Sequence, residues 1–89
     1  MEKVKTSIEG VELLIPKIHN DHRGSFSEIF NDTFPFCPAQ INWVESVKQY
    51  TFRGLHYQFG DYAQAKIVKC VSGAILDIAL DIRKYSPTF

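Results

Sequence analysis

Long apolar runs are missing from this sequence, and none approaches the roughly 20 residues that a membrane-spanning helix needs. At the start, residues 1–6 alternate charged with apolar side chains, so the apolar block of a secretory leader is missing too. Net charge is also absent. Ten basic residues balance ten acidic ones, so no long-range field draws the chain to nucleic acid or to an anionic membrane. No basic stripe marks a nucleic-acid-binding face. Cysteine is scarce, and Cys37 and Cys70 lack any paired spacing. They read as two reduced thiols packed as small apolar groups rather than as a disulfide or a metal site. These absences predict a soluble cytoplasmic protein with neither a nucleic-acid nor a membrane partner.

What remains is a short chain with the composition of a folded one. Its 89 residues allow at most one small domain, whose limited core is marginal without help from a metal, a disulfide or a partner chain. Hydrophobic residues make up 45% and aromatics 13%, which places it among globular rather than disordered sequences. No stretch keeps a helical period over three turns. Short apolar or alternating runs are broken by turn residues instead, which predicts a mainly β domain.

Taken in order, residues 11–18 form the first run, and Pro16 breaks it or confines it to a sheet edge because proline cannot donate to a ladder. Asn20-Asp21-His22-Arg23-Gly24 reads as a tight turn, and residues 25–30 as the strand after it. Residues 31–38 predict a loop or single helical turn, pinned by aromatic packing of Phe34 or Phe36. Residues 40–47 are the next strand, Phe59-Gly60-Asp61 a turn, and residues 65–71 and 74–83 two longer strands joined at Ser72-Gly73. In the last of these, Leu76, Ile78, Leu80 and Ile82 share one face, while Asp77, Ala79 and Asp81 share the other. Such a carboxylate face is ordinarily solvated or hydrogen-bonded at a sheet rim; the alternative is a barrel with a partly polar interior that holds a ligand. Five or six short strands leave open edges, so the expectation is an incomplete domain, or one completed by another chain.

Arg53-Gly54-Leu55-His56-Tyr57-Gln58 concentrates the chemistry: a guanidinium, a flexible backbone point, an imidazole and a carboxamide. In a regular strand Arg53 and His56 point to opposite faces. Both reach one ligand only if a bulge or twist near Gly54 re-aims one of them.

The chain resembles the sugar-nucleotide 3,5-epimerases of the deoxyrhamnose pathway, the dTDP-4-dehydrorhamnose 3,5-epimerase family. The matching blocks are Ile15-Pro16, Asp21-x-Arg23-Gly24-x-Phe26-x-Glu28, Gln40-x-Asn42, the Arg53 to Gln58 motif and Gln64-Ala65-Lys66-Ile67-Val68. The last is Asp77-x-Ala79-x-Asp81-Ile82-Arg83, running into Ser86-Pro87-Thr88-Phe89. They occur in family order and span nearly the whole chain. Trp43, Val44 and Glu45 depart from the small polar residues that the family favours there.

This resemblance implies a cupin-like jelly roll, a double-stranded β-helix, that dimerises and exchanges an N-terminal segment between subunits. It implies that the chain covers the N-terminal half of a family member, as a single incomplete domain over residues 1–89. The catalytic acid, a tyrosine, then lies in the other half, and Tyr50, Tyr57, Tyr62 and Tyr85 do not inherit its role. The expected substrate is a dTDP-4-keto-6-deoxyhexose of deoxysugar biosynthesis, with no cofactor. His56 is the expected base, since a neutral imidazole accepts the proton next to the ketone. Lys66 meets the oxyanion that forms, and Asp77 supports the site. Arg23 and Arg53 suit the diphosphate. Glu28, Gln40 and Asn42 offer hydrogen bonds to base or ribose, and Phe26 packs on a base or, more ordinarily, in a core.

Two other classes stay open. His19-x-x-His22 with His56 supplies three imidazoles, but the first two flank a turn far from the third, which is poor metal spacing. A sugar-nucleotide-binding module without turnover is the second, and a related dTDP-keto-sugar isomerase is a neighbouring enzymatic reading.

Overall fold

A computed structural model describes residues 1–89, and the chain divides into two units: residues 1–37 with 77–89, and residues 38–76. Regular structure is β apart from one short 3₁₀ turn, Gly60–Tyr62, in the second unit. The mainly β expectation therefore holds.

The first unit contains two antiparallel pairs. β1 (Glu2–Lys5) pairs with β2 (Glu12–Ile15), in a register that sets Val4 opposite Leu13 and Lys5 opposite Glu12. The connecting loop is closed by Thr6, whose hydroxyl donates to the Val11 carbonyl at 2.7 Å and accepts from the Ile8 N–H at 3.2 Å. Gly10, at φ +89°, supplies the left-handed residue that this loop requires. β1 is an element that sequence reading passed over; its period-2 pattern is short and half charged, and the pairing with β2 is what makes it a strand.

β3 (Ile18–Asp21) and β4 (Gly24–Ser27) form the second pair, with His19 opposite Phe26 and Asp21 opposite Gly24. The break at Pro16 lies between β2 and β3, as expected, since the proline lacks the N–H that a continuous ladder requires. The turn between β3 and β4 falls on His22 and Arg23, inside the predicted Asn20 to Gly24 turn. β4 ends at Ser27, short of the expected Phe30. The following loop is pinned by an aromatic contact, Phe30 against Phe34, with centroids 4.7 Å apart in an edge-to-face arrangement.

Residues 40–47, 65–71 and 74–83 carry no ladder. Their alternation states which side chains share a face, but a strand exists only when a second backbone meets its N–H and C=O groups. No apolar side chain is fully buried in either unit, and Ile78, Leu80 and Ile82 all remain exposed. The two turns expected in this region are present: Tyr62 and Ala63 donate back to the carbonyls of Phe59 and Gly60, and Gly73 takes φ +82° at the bend. No helix is long and apolar enough to cross a membrane.

Candidate active site

The second unit holds His56, Lys66, Gln40, Asn42 and Arg53 of the expected site; the first holds Arg23, Phe26, Glu28 and Asp77.

Gly54 decides how the second-unit motif is laid out. Its φ of +104° is open to glycine and strained for any side chain. A Cβ there would also lie 3.4 Å from Nδ1 of His56, so the imidazole folds back over the bare α-carbon. No ladder runs through Gly54, and the strand parity that would set Arg53 and His56 on opposite faces does not apply. Arg53 turns back along the chain. Its Nε donates to Ser46 Oγ at 3.3 Å and its Nη2 to the Glu45 carbonyl at 3.1 Å. Nearby, the Gln40 side-chain amide donates to Asn42 Oδ1 at 2.9 Å, so two expected base or ribose contacts orient one another. The Trp43 indole N–H donates to the Glu45 carboxylate at 3.1 Å. Lys66 is exposed and takes part in neither of the two ion pairs, which are Arg23–Asp21 and Arg83–Asp81.

In the first unit Arg23 is already engaged. Nη2 and Nε lie 2.7 and 3.2 Å from Asp21 Oδ2, and the Arg23 N–H donates to Oδ1 at 2.8 Å. The Arg23 side chain, then its backbone N–H, hold the Asp21 carboxyl below its ordinary range. Both partners are solvent-exposed, so the pair orders the β3–β4 turn more than it adds stability. Phe26 is 68% exposed and tilted against His19 across the ladder, its centroid 6.3 Å away, so it serves in no core here. Glu28 and Asp77 are exposed.

The most tightly held residue is Asp81, at 7% exposure the one buried residue of the chain. Its Oδ1 accepts from Arg83 Nε at 2.9 Å and from the Arg83 N–H at 3.0 Å. Its Oδ2 accepts from Arg83 Nη2 at 3.1 Å, from Thr88 Oγ1 at 2.6 Å and from the Ser86 hydroxyl. Arg83 Nη2 also donates to the Glu9 carbonyl at 3.0 Å, which ties residues 81–88 to the β1–β2 loop. The Arg83 side chain, followed by the hydroxyls of Ser86 and Thr88, drives the Asp81 carboxyl far below its usual range. Arg83 is raised in turn by its bond and charge interaction with Asp81. Sequence reading placed Asp81 on a polar strand face beside Asp77; the signal for its role is the Asp81-x-Arg83-x-x-Ser86-x-Thr88 spacing, which sets five donor groups around one carboxylate. No group of three or more His, Cys, Asp and Glu side chains is arranged to hold a metal ion.

Comparison with known proteins fits this small, mainly β chain with a histidine–lysine–arginine motif set. A family model described as dTDP-4-dehydrorhamnose 3,5-epimerase matches residues 5–89. The chain belongs to the dTDP-4-dehydrorhamnose 3,5-epimerase family. It is 45% identical to the dTDP-4-dehydrorhamnose 3,5-epimerase of Shigella flexneri, over all of this chain and 52% of that protein. Against the Escherichia coli K12 protein of the same name it is 42% identical, over all of this chain and 51% of the relative. A dTDP-4-dehydro-6-deoxyglucose 3-epimerase of Streptomyces bikiniensis is 42% identical over 93% of this chain and 45% of its own length. The chain thus spans about half the length of the curated relatives it matches. No solved structure matches it.

Proposed function

We propose that residues 1–89 are the N-terminal half of a single cupin-like jelly-roll domain that epimerises a dTDP-4-keto-6-deoxyhexose in the cytoplasm. The complete protein on this reading is a homodimer with N-terminal strand exchange, serving dTDP-rhamnose biosynthesis. The observation that carries the reading is the family match across residues 5–89, which includes every block bearing a proton-transfer or anion-binding side chain.

The chemistry follows from the ketone. A proton on the carbon next to the carbonyl is acidic because the negative charge left by its removal moves to the oxygen. The carbonyl is the electron sink, so no cofactor is required. His56 takes that proton on an imidazole ring nitrogen. Lys66, a compact point charge, donates to the oxygen as it becomes an oxyanion. Asp77 supports the charge balance of the site. The carbon then receives a proton on the opposite face from an acid outside these residues, and the configuration inverts. Arg23 and Arg53 hold the diphosphate, Glu28, Gln40 and Asn42 bond base or ribose, and the exposed ring of Phe26 offers a stacking face.

Solvent exchange tests the reading. Incubated in D₂O with the keto sugar nucleotide, the protein should wash deuterium into the substrate, and His56→Asn should slow exchange by about 10²–10⁴-fold. Wild-type exchange by that variant would overturn the assignment of the base. The relatives named as 3-epimerases favour one second reading, inversion at a single centre. Deuterium at C3 and C5 supports the 3,5-reaction, and deuterium at C3 alone supports the other.

A further inference from the structure

Of the three arginines, Arg23 and Arg83 are each paired with a carboxylate, Asp21 and Asp81. Arg53 is held differently. Both of its acceptors are neutral, the Ser46 hydroxyl at 3.3 Å and the Glu45 carbonyl at 3.1 Å, so its charge is left uncompensated. The Glu45 carboxylate accepts from the Trp43 indole instead of pairing with Arg53. The chain reverses between these partners: Tyr50 takes φ +63°, and the Thr51 hydroxyl donates to the Lys48 carbonyl at 2.7 Å. This turn brings Arg53 back to residues 45 and 46.

A guanidinium carries five N–H donors in a rigid plane. The tethers occupy the Nε–H and one N–H of Nη2. Both N–H groups of Nη1 and the second of Nη2 remain, and one from each nitrogen forms the outer fork that matches two oxygens of one phosphate. We propose that Ser46 is a positioning residue that fixes the Arg53 plane, so that this free fork grips the diphosphate of the nucleotide sugar. The proposal rests on the reading above that the substrate is a dTDP-linked sugar. It adds a residue from which no direct contact with substrate is required.

Calorimetric titration of the purified protein with dTDP and with thymidine tests it. Ser46→Ala should weaken dTDP binding about three- to tenfold, the worth of one tethering hydrogen bond, and leave thymidine affinity unchanged. Ser46→Thr, which keeps the hydroxyl, should restore dTDP affinity. Arg53→Ala should cost about 10- to 100-fold for dTDP, and adding Ser46→Ala to it should cost nothing more. If Ser46→Ala weakens thymidine as much as dTDP, or its cost persists without Arg53, Ser46 merely shapes the loop and the proposal fails. Full dTDP affinity in Ser46→Ala, with loss in Arg53→Ala, overturns the role of Ser46 and leaves the substrate reading standing. A wild-type protein that binds dTDP no better than thymidine overturns both.

Discussion

At the scale of single residues, the expected base owes its setting to a neighbour with no side chain. Gly54 accepts φ +104° and lets the His56 ring fold over it. Gly54→Ala should cost on the order of 1–3 kcal/mol in local strain. The relief open to the chain is a shift at residues 53–56, so substrate proton exchange should fall further than urea stability does. Lys66 makes a separable prediction. With the ammonium removed in Lys66→Ala, the proposed oxyanion role requires kcat to drop about 10²–10³-fold while KM changes little, because such a charge develops only in the transition state. A change confined to KM would assign Lys66 to ground-state binding instead. Part of this was legible beforehand: a glycine between Arg53 and His56 signals a departure from strand geometry. That Arg53 bends back to Ser46 was not legible, because the reversal depends on a left-handed tyrosine that no turn signature announces.

At the scale of elements, Asp81 ties a turn to a hairpin. Five donor contacts converge on its carboxylate, and Arg83 passes the link on to the Glu9 carbonyl in the β1–β2 loop. Asp81→Asn removes the charge and half of the acceptor capacity, so the Arg83 and Thr88 amides should exchange faster with solvent in NMR. The pH dependence has a definite sign. The folded carboxyl is depressed by Arg83, Ser86 and Thr88. Its contribution is therefore complete above the unfolded value of about 3.9 and is lost only as pH falls below that towards the folded value. The side-chain carboxyl resonance of Asp81 should hold its ionised position through the ordinary carboxylate range. Titration of that resonance at an ordinary carboxylate pH would show that the clasp does not form. The β3–β4 turn follows the same chemistry more weakly, since Asp21 and Arg23 are both wet.

At the scale of the whole molecule, the apolar residues outnumber the surface available to hide them. Leu76, at 87% exposed, and Val47, at 92%, are nearly as accessible as in an extended chain. Two-stranded sheets are marginal in water on their own. Residues 1–89 in isolation should bind a hydrophobic dye and protect amides in β1–β2 and β3–β4 while residues 38–76 exchange freely. Strong protection across residues 65–71 and 74–83 would mean that these runs find ladder partners in solution.

The residues alone state the family, the mainly β character, the break at Pro16, and the turns within Asn20 to Gly24 and at Ser72-Gly73. All of these are local: they depend on a missing N–H, a tolerated φ or a residue type at a given spacing. Tertiary structure alone decided that Glu2–Lys5 pairs as a strand, that Asp81 rather than Asp77 is the clasped carboxylate, and that Arg53 is tethered by neutral groups. Each of these is a choice of partner, and a one-dimensional pattern states which faces exist without stating what meets them.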